Sequence, residues 1–125
     1  MDIKKVFKSF PHAIRGISLV SKERNMRVHM IAVVVVTIAG LIFSISLVEW
    51  IAVFICFGLV MSLETINTVV EDICNKLRDD LGLSYESTRD ARDIAAGAVL
   101  ISAMFSVYVA IIIFLPKIID FLVKL

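Results

Sequence analysis

With 125 residues and a formal net charge of +1, the chain has room for one domain and lacks the basic excess expected of a nucleic-acid binder. Its apolar residues make up 59% of the sequence and its mean hydropathy is strongly positive, which excludes a small soluble fold. An all-α integral membrane protein is the class that remains, a single domain over residues 1–125.

Residues 3–24 read as a surface helix. Apolar groups at Ile3, Phe7, Phe10, Ile14, Ile17 and Val20 keep a helical period, with Lys4, Lys5, Lys8 and Arg15 largely off that stripe. Such an amphipathic helix lies on the inner membrane surface, where anionic lipid attracts the cations. Pro11 either starts a second segment or kinks the first.

Three uncharged runs follow, at 30–48, 50–63 and 94–115, of about 19, 14 and 22 residues. The first and third can each cross a hydrocarbon core of roughly 30 Å. The middle run covers only roughly 21 Å at 1.5 Å per residue, so it spans only if the helix continues through Glu64-Thr65-Ile66-Asn67-Thr68-Val69-Val70-Glu71. Spans are therefore expected at about 28–48, 50–75 and 90–115. The first run is too long and too far from the start for a cleavable signal peptide. Trp50 is expected as an anchor at the outer interface. Cys56 in mid-membrane and Cys74 near the cytoplasmic end do not suit a structural disulfide.

Between the second and third spans, a loop is expected over 79–88. Gly82 ends the second helix there, and Ser87-Thr88-Arg89-Asp90 matches a capping box that starts the third near Ser87. Ala98, Ser102, Ser106 and Ala110 form a small-residue stripe suited to close helix packing. Pro116 bends or ends the third helix. Seven of the 13 Lys and Arg precede the first span and four lie between the second and third. The N-terminus is thus placed in the cytoplasm and the C-terminus outside a prokaryotic cell membrane.

The chemistry gathers at the cytoplasmic face. Glu64, Asn67, Thr68, Glu71 and Asn75 form a polar stripe along one helix face. Glu23, Asn25, Arg27 and His29 precede the first span, and Arg92-Asp93 stands just inside the third. Ionisable groups near a bilayer are costly and point to function, most clearly at the deeper Glu64. For Glu71 and Asp72 simple solvation is the plain alternative, for Arg27 a lipid-phosphate anchor, and for His29 an interfacial ring. Carboxylates with Arg and no Cys/His set suit a hard cation such as Mg²⁺ and a phosphate rather than zinc.

Three motifs together resemble the small prokaryotic diacylglycerol kinase/undecaprenol kinase family. They are Glu64-x-x-Asn67-Thr68-x-x-Glu71, the upstream Glu23-Arg24-Asn25-Met26-Arg27-Val28-His29, and the downstream Arg92-Asp93-Ile94-Ala95-Ala96-Gly97-Ala98-Val99-Leu100. The resemblance runs over nearly the whole chain in the right order. It implies a surface helix plus three membrane spans in a homotrimer with active sites shared between subunits. It also implies transfer of the γ-phosphoryl of MgATP to the hydroxyl of a membrane lipid, undecaprenol or diacylglycerol. Matched position by position, Glu64 is the general base and Asn67 orients the reacting groups. Glu23 and Glu71 hold Mg²⁺, while Arg92, Asp93, Arg15 and Asn75 meet the nucleotide.

Three differences set the chain apart from the family pattern. Asn75 stands where an Asp is usual, and its missing charge would weaken metal or base support; Asn75→Asp is then expected to raise activity. Arg92 replaces a Lys, exchanging a point charge for a planar fork. Ser84-Tyr85 replaces a Tyr-His pair in a somewhat longer loop. Two other functions compete: a weakened relative that binds nucleotide or lipid as a regulator, and a small oligomeric cation transporter using Glu64 and Glu71 as a relay. The Ala95-Ala96-Gly97-Ala98 run and the Glu-Arg-Asn element lean towards undecaprenol.

Overall fold

The computed structural model describes residues 3–124, apart from the side chains of Lys4, Lys5 and Val6. The cationic positions expected at Lys4 and Lys5 lie outside those described side chains. Four helices follow one another: α1 (Ile3–Val20), α2 (Arg24–Ile42), α3 (Leu47–Leu81) and α4 (Tyr85–Val123). The last three are each long and apolar enough to cross a membrane. Cys56 and Cys74 are both free thiols.

α3 is one rod of 35 residues, roughly 52 Å long at the standard rise, so the under-length apolar run does continue into the polar stripe. A reciprocal cap starts it. Ser46 N–H donates to Glu49 Oε2 at 2.6 Å, and Glu49 N–H donates back to Ser46 Oγ at 3.3 Å. Gly82 ends it as expected, at φ 69°. That left-handed conformation lets Gly82 N–H reach the Arg78 carbonyl and Leu83 N–H the Leu77 carbonyl, an ending that a residue with a Cβ resists.

Several boundaries differ from the sequence expectation. α4 starts at Tyr85 rather than Ser87, because Ser84 takes the cap and its Oγ accepts Ser87 N–H at 3.3 Å. The connection shrinks to residues 82–84, with both flanks of the expected loop helical. α4 runs through Pro116 to Val123 instead of ending there. The next residue, Lys117, donates to Glu49 Oε1 at 2.7 Å and ties that turn to the start of α3. α1 is likewise continuous through Pro11.

A core of Ile45, Val53, Ile113 and Phe114 sits beside the α2–α3 turn, with Phe43 and Trp50 against it. Trp50 is half-buried, its indole packed against this core. A Cβ placed on Gly40 would lie 2.7 Å from Trp50 Cη2, so the missing side chain is what lets the indole lie across α2. The α3–α4 pairing is the most extensive, α2 leans more lightly on α3, and α1 is largely exposed except for Val20. Within this one chain only 11–17% of each apolar window is buried, so lipid or neighbouring protein must cover the rest.

Gly40→Ala is expected to lower stability by about 1–3 kcal/mol through overpacking against the indole. Thermal unfolding in detergent, followed by circular dichroism, measures it. An unchanged midpoint would mean that Trp50 swings aside without cost.

Candidate active site

Glu64 and Asn67 are each only 3% exposed, although both are polar and one is ionisable. They share a face of α3 because positions three and four apart lie one turn along a helix. α2 covers that face: His29 Nε2 comes within 3.9 Å of Glu64 Oε2. Asn25, Glu23 and Glu71 are all close enough to act on Glu64 electrostatically. Three carboxylates and an imidazole therefore converge where α2 begins and the apolar part of α3 ends.

Asn67 organises the next turn. Its Nδ2 donates to Glu71 Oε1 at 3.1 Å, which fixes the amide orientation. Its Oδ1 is buried and finds no donor among the described residues. Such an acceptor is costly unless something with a proton fills the place. Thr68 differs: its hydroxyl donates to the Glu64 carbonyl at 3.0 Å and is spent within the helix. Ser102 and Ser106 also bond back to their own helix, which leaves the small-residue stripe to packing.

Glu23 caps α2 by position only. Its backbone is extended, but its carboxylate makes no capping bond, and the side chain is exposed. Glu71 keeps the carboxylate oxygen that Asn67 does not engage. Two such groups beside Glu64 place like charges together, and a divalent cation would offset that repulsion. The oxygen-only donor set fits Mg²⁺, which takes one or two carboxylates and completes its shell with phosphate and water. Among the described residues no group of three or more His, Cys, Asp or Glu side chains is placed to hold a metal ion.

Arg92 crosses from α4 to α3, where Nη2 donates to Asn75 Oδ1 at 3.1 Å. The two departures from the family pattern thus touch one another. Asp93 points elsewhere: it is exposed, 3.8 Å from Arg89. Arg15 is exposed on α1 and has no hydrogen bond or ion pair with another described residue, so this chain alone does not bring it to the site. Sequence reasoning missed Thr88 and Tyr85, which it assigned to the loop. Thr88 is 7% exposed and Tyr85 lies under the Arg92 guanidinium. Their spacing before Arg92, four and seven residues on a helix, was the available signal.

An apolar crevice of about 230 Å³ opens between α2, α3 and α4, with His29 at its polar end and Val33, Cys56, Val60 and Ser106 among its walls.

Comparison with known proteins gives a consistent result. The family described as prokaryotic diacylglycerol kinase matches residues 11–114. The chain is 37% identical to an undecaprenol kinase of Bacillus subtilis over 93% of both chains. It is 32% identical to a diacylglycerol kinase of Synechocystis, over 92% of this chain and 65% of that longer one. A diacylglycerol kinase of Sinorhizobium is 25% identical over 87% of this chain and 80% of its own. No solved structure matches.

Glu64→Gln keeps the side-chain volume and removes a buried ionisable group. It is expected to raise folding stability by about 1–2 kcal/mol. A lower thermal midpoint would mean that the Glu64 carboxyl supports the fold rather than burdening it.

Proposed function

This chain belongs to the prokaryotic diacylglycerol kinase family of membrane lipid kinases, and from that premise we propose that it moves the γ-phosphoryl of MgATP to the hydroxyl of a polyprenol of the undecaprenol type. One observation carries the reading of the site: Glu64 and Asn67 are buried side by side with an acceptor, Asn67 Oδ1, that awaits a donor. A lipid hydroxyl supplies that donor at the depth where the apolar half of α3 gives way to its polar stripe.

In this mechanism the hydroxyl oxygen bonds to the γ-phosphorus as the bond to the β-γ bridging oxygen breaks and ADP leaves. Glu64 takes the hydroxyl proton, held by His29 and Asn25 from α2. Asn67 fixes Glu71 through Nδ2, and its Oδ1 accepts the hydrogen bond of the incoming hydroxyl's single proton first, before that proton passes to Glu64 as the oxygen attacks. Glu23 and Glu71 would hold Mg²⁺, which would neutralise phosphate charge. Arg92 meets the phosphates from α4, with Asn75 beside it. Asp93 and Arg15 complete the nucleotide contacts, Arg15 from a neighbouring subunit or after α1 settles on the membrane.

A homotrimer with shared sites accounts for two features. The apolar windows stay mostly uncovered within one chain, and Arg15 is exposed with no hydrogen bond or ion pair to another described residue. α1 lies along the inner surface, its stripe of Ile3, Phe7, Phe10, Ile14 and Ile17 exposed for lipid. The N-terminus is cytoplasmic and the C-terminus outside. A pure regulator is not favoured, because Glu64 and Asn67 are both buried and Glu71 is bonded to Asn67 beside them. A cation relay has no use for Asn25 beside Glu64 or Arg92 beside Asn75.

Purified protein in bilayers with Mg²⁺ and γ-labelled ATP, offered undecaprenol, shorter polyprenols and diacylglycerol, is expected to label a polyprenol preferentially. Glu64→Gln should lower kcat by roughly 10²–10⁴-fold, the usual contribution of a general base. Glu71→Ala should abolish transfer. ATP binding without transfer to any acceptor would instead support the regulator, and cation flux without ATP binding the transporter.

A further inference from the structure

Arg92 is held by three uncharged groups. Nη2 donates to Asn75 Oδ1 at 3.1 Å, and Nε approaches Thr88 Oγ1 at 3.4 Å. The Tyr85 ring lies 5.1 Å from the guanidinium carbon. Thr88 is itself fixed, its hydroxyl donating to the Tyr85 carbonyl at 3.2 Å. A guanidinium has five N–H donors, so the two contacts leave three unspent. Its orientation is set from two helices and one ring face, yet those donors remain available.

The other fixed cations contrast with it. Lys76, Arg78, Arg89 and Lys117 each lie within 4 Å of a carboxylate, at Asp72, Asp79, Glu86 and Glu49 respectively. Arg92 forms no ion pair among the described residues, although it stands one helical turn beyond Glu71 through Asn75. Asn75 decides this. An Asp there would have nearly the same shape and reach, and would give Arg92 a bidentate partner of opposite charge.

We propose that Asn75, Thr88 and Tyr85 form a neutral cradle that positions Arg92 for the nucleotide polyphosphate, and that the missing charge at residue 75 keeps the guanidinium available to that ligand. This rests on the kinase reading above and names the groups that govern its nucleotide affinity. It also reverses the expectation drawn from the family pattern: Asn75→Asp should weaken nucleotide binding, because the new carboxylate competes with phosphate for Arg92 and repels it.

The test uses the full chain in lipid nanodiscs, with ATP kinetics on a polyprenol and direct binding of Mg²⁺–β,γ-methylene-ATP. Asn75→Asp is expected to raise both the KM for ATP and the analogue's Kd roughly tenfold, with the change concentrated in KM rather than kcat. Its thermal midpoint should hold or rise, because the hairpin gains an ion pair, and this separates the effect from misfolding. Tyr85→Leu should weaken binding roughly threefold, and Tyr85→Phe, which keeps the ring, should restore it. Equal or tighter binding by Asn75→Asp overturns the proposal, as does a Tyr85→Phe variant as weak as Tyr85→Leu. If wild type binds the analogue but phosphorylates no lipid, the kinase reading fails while the binding comparison still judges the cradle. If wild type binds no nucleotide, both fall.

Discussion

The fold depends on holding α3 against α4 in surroundings that give apolar surfaces little reason to associate. Among lipid tails, a leucine gains almost nothing by leaving them for another leucine. Close approach and a few well-placed polar contacts must fix the pairing. The small-residue stripe provides the first, with its hydroxyls turned back into α4. The second comes from two side-chain bridges, Glu49 to Lys117 near one end and Asn75 to Arg92 near the other. Glu49 and Asn75 stand roughly 39 Å apart along α3, so the bridges bracket the membrane-crossing length. One bridge closes the end that holds the apolar core, and the other forms part of the site.

α2 is tied differently. Among the described residues, the ion pair that joins it to α3 is His29 to Glu64, at 3.9 Å. The contact that steadies the least firmly packed spanning helix thus also orients the group assigned to take a proton. A site built this way is sensitive to how α2 sits, and α2 is the helix that α1 and the surrounding membrane would act on. α3 carries Glu64 and Glu71, proposed as base and metal-facing carboxylate; the more lightly packed α2 and the second turn of α4 bring His29 and Arg92 to the same helix.

Much of this was legible in the residues. Hydropathy alone required the middle span to run on into Glu64–Glu71, since 14 apolar residues cannot cross a bilayer. Gly82 marked its own position because only a left-handed turn ends α3 there. The misplaced boundaries have local causes. Ser84 and Ser87 both read as caps, and the choice between them rests on which hydroxyl receives which N–H, a matter of one turn. Pro116 read as a bend or an end, and sequence did not reveal that Lys117 would be drawn to Glu49, 68 residues away. Thr88 and Tyr85 were read as loop for the same reason: their partner was known, but the helix that joins them to it began two residues earlier than the pattern indicated. The assignment of Arg15 rested on resemblance alone, and no hydrogen bond or ion pair among the described residues supports it.

The short connection at residues 82–84 makes the α3–α4 hairpin a ruler as well as a hinge. Asn75 and Arg92 meet because a fixed number of residues separates each from the turn. One residue added within either arm would rotate its side chain by about 100° and shift it by about 1.5 Å. Arg92 would then face away from α3, while the hydrophobic character of the span would hardly change. Length variation along this hairpin is therefore confined to the turn itself or to multiples of a helical turn. The register of the polar stripe is stored in a count of residues.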